Sequence, residues 1–155
     1  MFKRIMVATG GSPWSTRAVE YAVNLARELG AQLYILHVVT SPSLISELLA
    51  SVPFDRELKE RGEKILDEAS ALARDRGINC ETILKTGSVA ENIVMAAAEK
   101  DVDLLVLGSR GEKGLMRGGL GSTASKVAAS APCPVLILKE TSFLQELLKK
   151  GAMVR

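Results

Sequence analysis

The sequence is poor in the residues that most often mark a metal site, a disulfide framework or a histidine-based active site. Its 155 residues include only two cysteines and one histidine. Cys80 and Cys133 lie far apart and form no C-x-x-C pair, which argues against zinc and disulfides and predicts two buried thiols. His37 has no serine or cysteine partner in a catalytic motif, and we expect a packed histidine near a strand end rather than a general base.

Long apolar runs and a dominant charge are also missing. No run approaches the ~18 apolar residues that a membrane span requires. Residues 1–4 lead into a short apolar run that lacks the long h-region and cleavage site of a signal peptide. The net charge of +2 gives no basic footprint for nucleic acid or an anionic membrane. We therefore expect a cytoplasmic protein that binds neither.

What the sequence does contain is a regular alternation of apolar runs and amphipathic segments. Strands are predicted at residues 5–8, 33–39, 78–84, 103–107 and 135–138. Helices are predicted between them, with the third strand weak enough to be a sheet edge. Because crossovers between parallel strands are right-handed, the pattern predicts an α/β fold with a parallel sheet and helices on both faces. We expect an open, doubly wound sheet of order 3-2-1-4-5, which makes the first and fourth strands neighbours.

The helix signals are local and specific. Ser12 as N-cap with Pro13 after it, and Gly30 as a C-terminal stop, bound the first helix, whose predicted buried stripe includes Tyr21 and Leu29. Residues 40–54 are predicted to be a long connection. The second helix follows, with Gly62 as a weak position in its first turn that costs about 1 kcal/mol relative to alanine.

Two further features complete the outline. Ser88 with Glu91 three residues later predicts a capping box at the third helix. The domain is predicted to span residues 1–139, followed by a helical tail over residues 140–155. Four apolar residues of that tail, which could dock on the domain or on a partner, recur at helical spacing: Phe143, Leu144, Leu147 and Leu148.

The fourth predicted strand runs into a glycine-rich loop and then into a helix that begins at Ser122. Glycines allow backbone N–H groups to approach a ligand, and a helix N-terminus favours an anion. Residues 9–12 and 108–111 are the two glycine-bearing strand-to-helix turns of this type, and the sheet order would place both beside one crevice. Residues 108–126 carry four basic and one acidic residue, a local net charge of +3 that favours phosphate.

Familiar alternatives fail on spacing. The sequence contains no G-x-x-x-x-G-K-[ST], and no G-x-G-x-x-G follows the first strand, so a P-loop enzyme and the usual dinucleotide fold are disfavoured. The remaining alternative for the loop itself is a mobile surface segment whose basic residues are merely solvated.

The loop spacing resembles that of the universal stress protein family. Gly108, two residues, Gly111, nine residues, Gly121 and Ser122 match the G-x2-G-x9-G-[ST] of its nucleotide-binding members. The resemblance extends over residues 2–139 and includes L-H-V-V, D-L-L-V-L-G-S-R-G and A-P-C-P-V-L-I-L. It implies ATP or another adenine nucleotide as ligand and a homodimer formed through the fifth strand, Val135–Leu138.

The resemblance also implies a set of site residues. The glycines, Ser122 and the backbone of Thr123 would hold the phosphates, Ala8 and Thr9 would border the base and ribose, and the backbone of Val38 would meet the adenine edge. The complete set of implied nucleotide-binding residues is Ala8, Thr9, Gly10, Val38, Gly108, Arg110, Gly111, Gly121, Ser122 and Thr123.

Two positions depart from the family pattern. Gly10 stands where nucleotide-binding members usually carry an aspartate that bonds ribose hydroxyls and assists a metal ion. The loss of that charge-assisted hydrogen bond is worth about 1.5–3 kcal/mol, or one to two decades in affinity, and weakens any use of Mg²⁺. Ala124 lacks a hydroxyl that the family has, whereas Thr123 supplies one next to it.

Three functions therefore compete at this point. The first is an adenine-nucleotide-binding regulatory protein without efficient catalysis. The second is an interaction module of the same fold that has lost the nucleotide and acts through partner contacts. The third is an enzyme such as a nucleotidyl transferase or hydrolase, which the absence of an H-x-G-H pair disfavours.

Overall fold

A computed structural model describes residues 1–40, 52–110, 120–139 and 148–151, with side chains in the second range described from residue 56. Strands and helices alternate along the chain. They are β1 (Arg4–Ala8), α1 (Pro13–Leu29), β2 (Gln32–Val39), α2 (Val52–Asp75), β3 (Cys80–Thr86), α3 (Val89–Glu99), β4 (Leu104–Gly108), α4 (Ser122–Ser130) and β5 (Val135–Leu138).

The five strands form one parallel sheet in the order β3-β2-β1-β4-β5, which confirms the predicted topology. The chain order reverses at β1, since β2 pairs on one side of it and β4 on the other. The carboxyl ends of β1 and β4 are therefore neighbours. In sheets of this kind the ligand crevice lies at that point.

Helices cover both faces of the sheet, as alternation in the strands requires. On one face α1 and α2 pack against alternate strand residues such as Ile5, Val7 and Ile35. On the other face α3 and α4 pack against Met6 and Leu105, which point the opposite way. The three central strands are buried almost throughout, because both of their faces are covered.

The ends of α1 follow the sequence signals, but its buried face does not. Ser12 accepts a hydrogen bond from the Ser15 N–H, and Gly30 adopts the left-handed conformation at the C-terminus. Tyr21 and Leu29 are 45% and 50% exposed, so their predicted burial was wrong. The buried stripe contains smaller residues instead: Ser15, Ala18, Val19, Ala22, Val23 and Ala26.

The second helix begins earlier than predicted. It starts at Val52, so the last residues of the predicted connection 40–54 belong to its first turn, where a proline is tolerated because its missing N–H needs no partner. Residues 41–51 lie outside the described part of the chain. Gly62 is buried where α2 crosses β2 and β3, since a Cβ there would lie 2.9 Å from both His37 Cδ2 and Leu84 Cδ1.

The capping box at α3 was also wrong. Ser88 is the N-cap, but its side chain makes no capping hydrogen bond. Asn92 instead donates its side-chain amide to the Ser88 carbonyl at 2.7 Å. Among the described residues, no helix is long and apolar enough to cross a membrane.

The tail is described only in part. Residues 140–147 and 152–155 lie outside the described part of the chain, and Leu148 is 53% exposed. The division into a domain of residues 1–139 and a tail stays a prediction.

Candidate functional site

A network of hydroxyl groups fixes the loop that follows β1. Ser15 Oγ receives hydrogen bonds from the Thr9 hydroxyl at 3.2 Å and the Gly10 N–H at 3.3 Å, and it donates to the Ser12 carbonyl at 3.0 Å. The Gly11 N–H donates to Thr9 Oγ1 at 3.2 Å. Because Thr9, Ser12 and Ser15 are all buried, this network holds the loop in one conformation.

The part of the predicted site that would hold the adenine base lies where β2 extends beyond the end of β1. The pairing of the two strands ends with Ala8 opposite Leu36, and the Thr9 N–H donates to the Leu36 carbonyl at 2.9 Å. His37 Nδ1 lies 2.7 Å from the Thr9 carbonyl oxygen; since a carbonyl can only accept, His37 donates this hydrogen bond.

Val38 is the next residue of β2. In the described part of the chain, no backbone hydrogen bond joins it to the loop after β1. Its backbone on the β1 side is therefore available to a planar ligand edge, while on its other side Val38 pairs with Lys85 of β3.

The phosphate side of the predicted site is built where β4 ends. The Gly121 N–H donates to the Ser109 carbonyl at 2.7 Å, and the Ser109 N–H donates to the Leu138 carbonyl at 2.8 Å. A Cβ on Gly121 would lie 3.2 Å from Ser109 O and 3.7 Å from Arg110 Cα. This close backbone approach brings the start of α4 against the end of β4.

The two helix N-termini at this edge of the sheet differ. The Ser12 side chain caps α1. The N-cap of α4 is Gly121, which has no side chain that could accept a hydrogen bond from the first turn. The first-turn N–H groups of α4 have no intrahelical partners, so an anion could take the place of the missing cap. This arrangement fits a phosphate group.

The charge around this helix start is positive where it is described. Arg110 is buried at 8% exposure beside Gly121, and Lys126 is exposed one turn along α4. The remaining basic residues of the predicted cradle, Lys113 and Arg117, lie outside the described residues. An arginine buried at the end of β4 favours an anion over a neutral ligand.

Gly10 stands where the family usually carries an aspartate, and the space beside this residue is open. Apart from its two chain neighbours, no described residue has an atom within 4 Å of a Cβ built on it. The described residues contain no group of three His, Cys, Asp or Glu side chains that could hold a metal ion. The loop after β1, residues 9–12, contains no carboxylate, so it does not supply the ligand that commonly binds Mg²⁺ at nucleotide sites.

The structure brings together most of the predicted site residues at the carboxyl edge of β1, β2 and β4. Gly111 lies outside the described residues. The sequence analysis missed Ser15, whose hydroxyl orders the loop, and Trp14, whose carbonyl contacts Gly108. Ser15 could have been found as the residue three positions after an N-cap serine.

The two cysteines are separate from this site. Both are free thiols of intermediate burial, so they are less buried than predicted. Burial raises the pKa of Cys80, although Arg74 opposes the shift. Burial also raises the pKa of Cys133. Thiols with raised pKa values are poor nucleophiles at neutral pH, which fits structural roles.

Comparison with known proteins gives a consistent result. The model of the universal stress protein family matches residues 1–139. The universal stress protein YxiE of Bacillus subtilis is 41% identical over 148 residues, which cover 90% of this chain and 100% of the relative.

Solved structures agree with these relatives. A universal stress protein crystallised in complex with cAMP is 29% identical, with a TM-score of 0.68 over 88% of this chain and 97% of the other. The universal stress protein of Archaeoglobus fulgidus in complex with dAMP is 25% identical, with a TM-score of 0.66 over 88% of this chain and 97% of the other. Each complex holds an adenine nucleotide.

Proposed function

The chain belongs to the universal stress protein family, and from that premise we propose that it is a regulatory protein that binds an adenine nucleotide without efficient catalysis. The observation that carries the proposal is the glycine N-cap of α4, Gly121, held against the end of β4 by the hydrogen bond to Ser109. The complexes of two similar proteins with cAMP and dAMP support the same ligand class.

The nucleotide would lie across three strand ends. Its phosphates would meet the first-turn N–H groups at Ser122 and Thr123, with Arg110 supplying positive charge nearby. The ribose would border Thr9 and Gly10, and the adenine edge would meet the backbone of Val38. This order follows the sheet, since β4, β1 and β2 are consecutive neighbours.

The proposal of no efficient catalysis rests on what surrounds the reacting phosphates. His37 lies on the base side of the site, where it donates to the Thr9 carbonyl, and the loop after β1 carries Gly10 instead of an acid, so neither offers a general base to the phosphates. A side chain that orients an attacking water is normally needed for fast phosphoryl transfer. Phosphate release above the uncatalysed background that His37→Ala abolishes would contradict this part of the proposal.

Gly10 also supports a second candidate. A ribose that meets no carboxylate is held less tightly, by about one to two decades in affinity. The alternative is therefore an interaction module of the same fold that acts through partner contacts and has lost the nucleotide. We also propose a homodimer through β5 and a cytoplasmic location.

The test starts from freshly purified protein. Denaturing it and identifying released small molecules by mass spectrometry should reveal an adenine nucleotide. Calorimetric titration of the stripped protein with AMP, ADP and ATP, with and without Mg²⁺, should then give saturable binding with a modest effect of Mg²⁺. If no nucleotide is retained and no heat is observed at millimolar ligand, the binding proposal is wrong and the interaction module takes its place.

A further inference from the structure

A groove opens beside the proposed nucleotide site, between the start of α1 and the side of α2. It encloses about 410 Å³, a volume within the usual range of ligand sites. The β1–α1 loop forms one wall of the groove, and α2 forms the other. The two walls are in contact at the base of the groove, since a Cβ on Gly11 would lie 3.1 Å from Ile65 Cγ1. The residues that matter for its chemistry are Gly10, Trp14, Arg61, Lys64, Ile65 and Glu68.

Two residues join this groove to the crevice between β1 and β4. Gly10 lines the groove and follows Thr9, which ends the β1 side of the crevice. Trp14 also lines the groove, and its carbonyl lies 3.2 Å from a Cβ built on Gly108 at the end of β4. Gly10 therefore belongs both to the groove and to the proposed ribose position.

The groove is basic because of side chains on α2. Arg61 and Lys64 are one turn apart on the exposed side of the helix, and Glu68 follows one turn further. Two cations and one carboxylate give a net charge of +1. The backbone of the α1 N-terminus contributes little, since the Ser15 N–H and Gly10 N–H already bond within the loop.

We infer that this groove binds a phosphate group carried on the ribose of the adenine nucleotide, so that the preferred ligand is phosphorylated at the ribose 3′ or 2′ position as well as at the 5′ position. The inference rests on the proposed function. A ribose hydroxyl gains little from cations, whereas a phosphate gains a charge-assisted contact from each of them.

The absence of a carboxylate at Gly10 favours a second phosphate in the groove. A carboxylate at that position would stand between the ribose and the groove and would repel a second phosphate. Gly10 and Lys64 line the same groove, and apart from the chain neighbours of Gly10 no described residue has an atom within 4 Å of its Cβ position. In dinucleotide-binding proteins an acidic residue at the ribose selects the free hydroxyl, and an arginine selects the phosphorylated ribose. The same chemistry applies to any nucleotide.

The experiment compares matched ligands on stripped protein by calorimetry at 50 and 150 mM salt. AMP is compared with adenosine 3′,5′-bisphosphate and adenosine 2′,5′-bisphosphate, and AMP with added inorganic phosphate serves as a ligand control. We expect at least one bisphosphate to bind about tenfold more tightly than AMP at low salt, with a smaller ratio at high salt because exposed charges are screened. The isomer that gains affinity identifies the ribose position.

Variants then locate the second phosphate. Combining Arg61→Glu with Lys64→Glu should reduce the bisphosphate-to-AMP affinity ratio to about one, and Gly10→Asp should lower it as well. Glu68→Gln should raise the ratio up to about fivefold, because it removes a like charge. Arg56→Glu, on the same helix but outside the groove, should leave the ratio unchanged.

The outcomes separate the two proposals. If AMP binds and neither bisphosphate binds more tightly, the inference about the groove is wrong and the proposed function stands. A raised ratio that survives the double charge reversal would place the second phosphate elsewhere and also overturn the inference. If no adenine nucleotide binds at all, both proposals are wrong.

Discussion

Gly108 at the end of β4 and Trp14 in the first turn of α1 are in backbone contact. A Cβ on Gly108 would lie 3.2 Å from the Trp14 carbonyl oxygen, 3.3 Å from its carbonyl carbon and 3.4 Å from Arg110 O. Since all three atoms belong to the backbone, no side-chain rotation could make room. This contact fixes the distance between the two loops that flank the proposed nucleotide site.

Gly108→Ala should therefore destabilise the protein and weaken nucleotide binding together. We expect a loss of about 1–2 kcal/mol in the free energy of unfolding, from overpacking against the backbone. For a chain of this size that lowers the melting temperature by about 2–8 °C. Gly10→Ala is the stability control, because its Cβ would meet no atom within 4 Å. Equal melting temperatures for the two variants would show that the contact carries no strain.

Gly121→Val tests the phosphate cradle directly. A Cβ here approaches Ser109 O at 3.2 Å, and two further methyl groups would push the start of α4 away from the end of β4. Affinity for AMP, ADP and ATP should fall below detection by calorimetry at millimolar ligand. Circular dichroism should still show the native secondary structure. Unchanged affinity would place the phosphates elsewhere.

Gly10→Asp should restore a hydrogen bond to the hydroxyls of an unmodified ribose and raise the affinity for AMP. The position has room for the side chain, and its φ lies outside the left-handed region, so aspartate fits the backbone. One charge-assisted hydrogen bond should raise the affinity for AMP about ten- to a hundredfold. Gly10→Asn is the matched neutral control and should gain less. A decrease in AMP affinity would show that the ribose does not lie at this residue.

The sequence predicted the alternation of strands and helices because it depends on simple periodic signals, whereas the position of the ligand crevice stays a prediction. A nearly continuous apolar run such as residues 33–39 is typical of a strand that is covered on both faces. The glycine spacing from Gly108 to Gly121 predicted the phosphate cradle, which stays a prediction. The hydrogen bond between Ser109 and Gly121 is consistent with a glycine at position 121, because a Cβ there would lie only 3.2 Å from the Ser109 carbonyl oxygen.

Long-range contacts account for what the sequence did not reveal. Tyr21 was assigned to the core by helical periodicity, yet α1 buries small residues because it lies close on the sheet. The basic groove brings Gly10 next to Arg61 and Lys64, which are more than 50 positions away in the sequence. No local pattern reports such a contact, since it depends on how α2 packs beside α1.

Gly62 gives a case in which two effects oppose each other. Helix propensity alone predicts that Gly62→Ala stabilises the protein by about 1 kcal/mol. However, the new Cβ would lie 2.9 Å from His37 Cδ2 and from Leu84 Cδ1, and 3.2 Å from Val39 Cγ2. Overpacking on this scale costs about 1–3 kcal/mol, so the net effect should be a loss of about 1 kcal/mol in urea denaturation.

A double-mutant cycle provides the control for Gly62. Leu84→Ala removes one of the crowded atoms, so Gly62→Ala should cost less in that background than in the wild type. Additive effects of the two changes would show that the contact with Leu84 is not the cause. An increase in stability for Gly62→Ala alone would mean that helix propensity decides this position.

The exposed edge of β5 leads to the last prediction, on assembly. Within the described residues β5 pairs with β4 on one side only, and Leu136 at its centre is 36% exposed. An apolar sheet edge of this kind tends to pair with another strand, and a lysine placed on it opposes such pairing. We expect the wild type to be a dimer and Leu136→Lys to be a monomer in light scattering coupled to gel filtration. Met95→Lys, at a residue that is 58% exposed on α3, should remain dimeric. A monomeric wild type, or a dimer that survives Leu136→Lys but not Met95→Lys, would contradict an interface through β5.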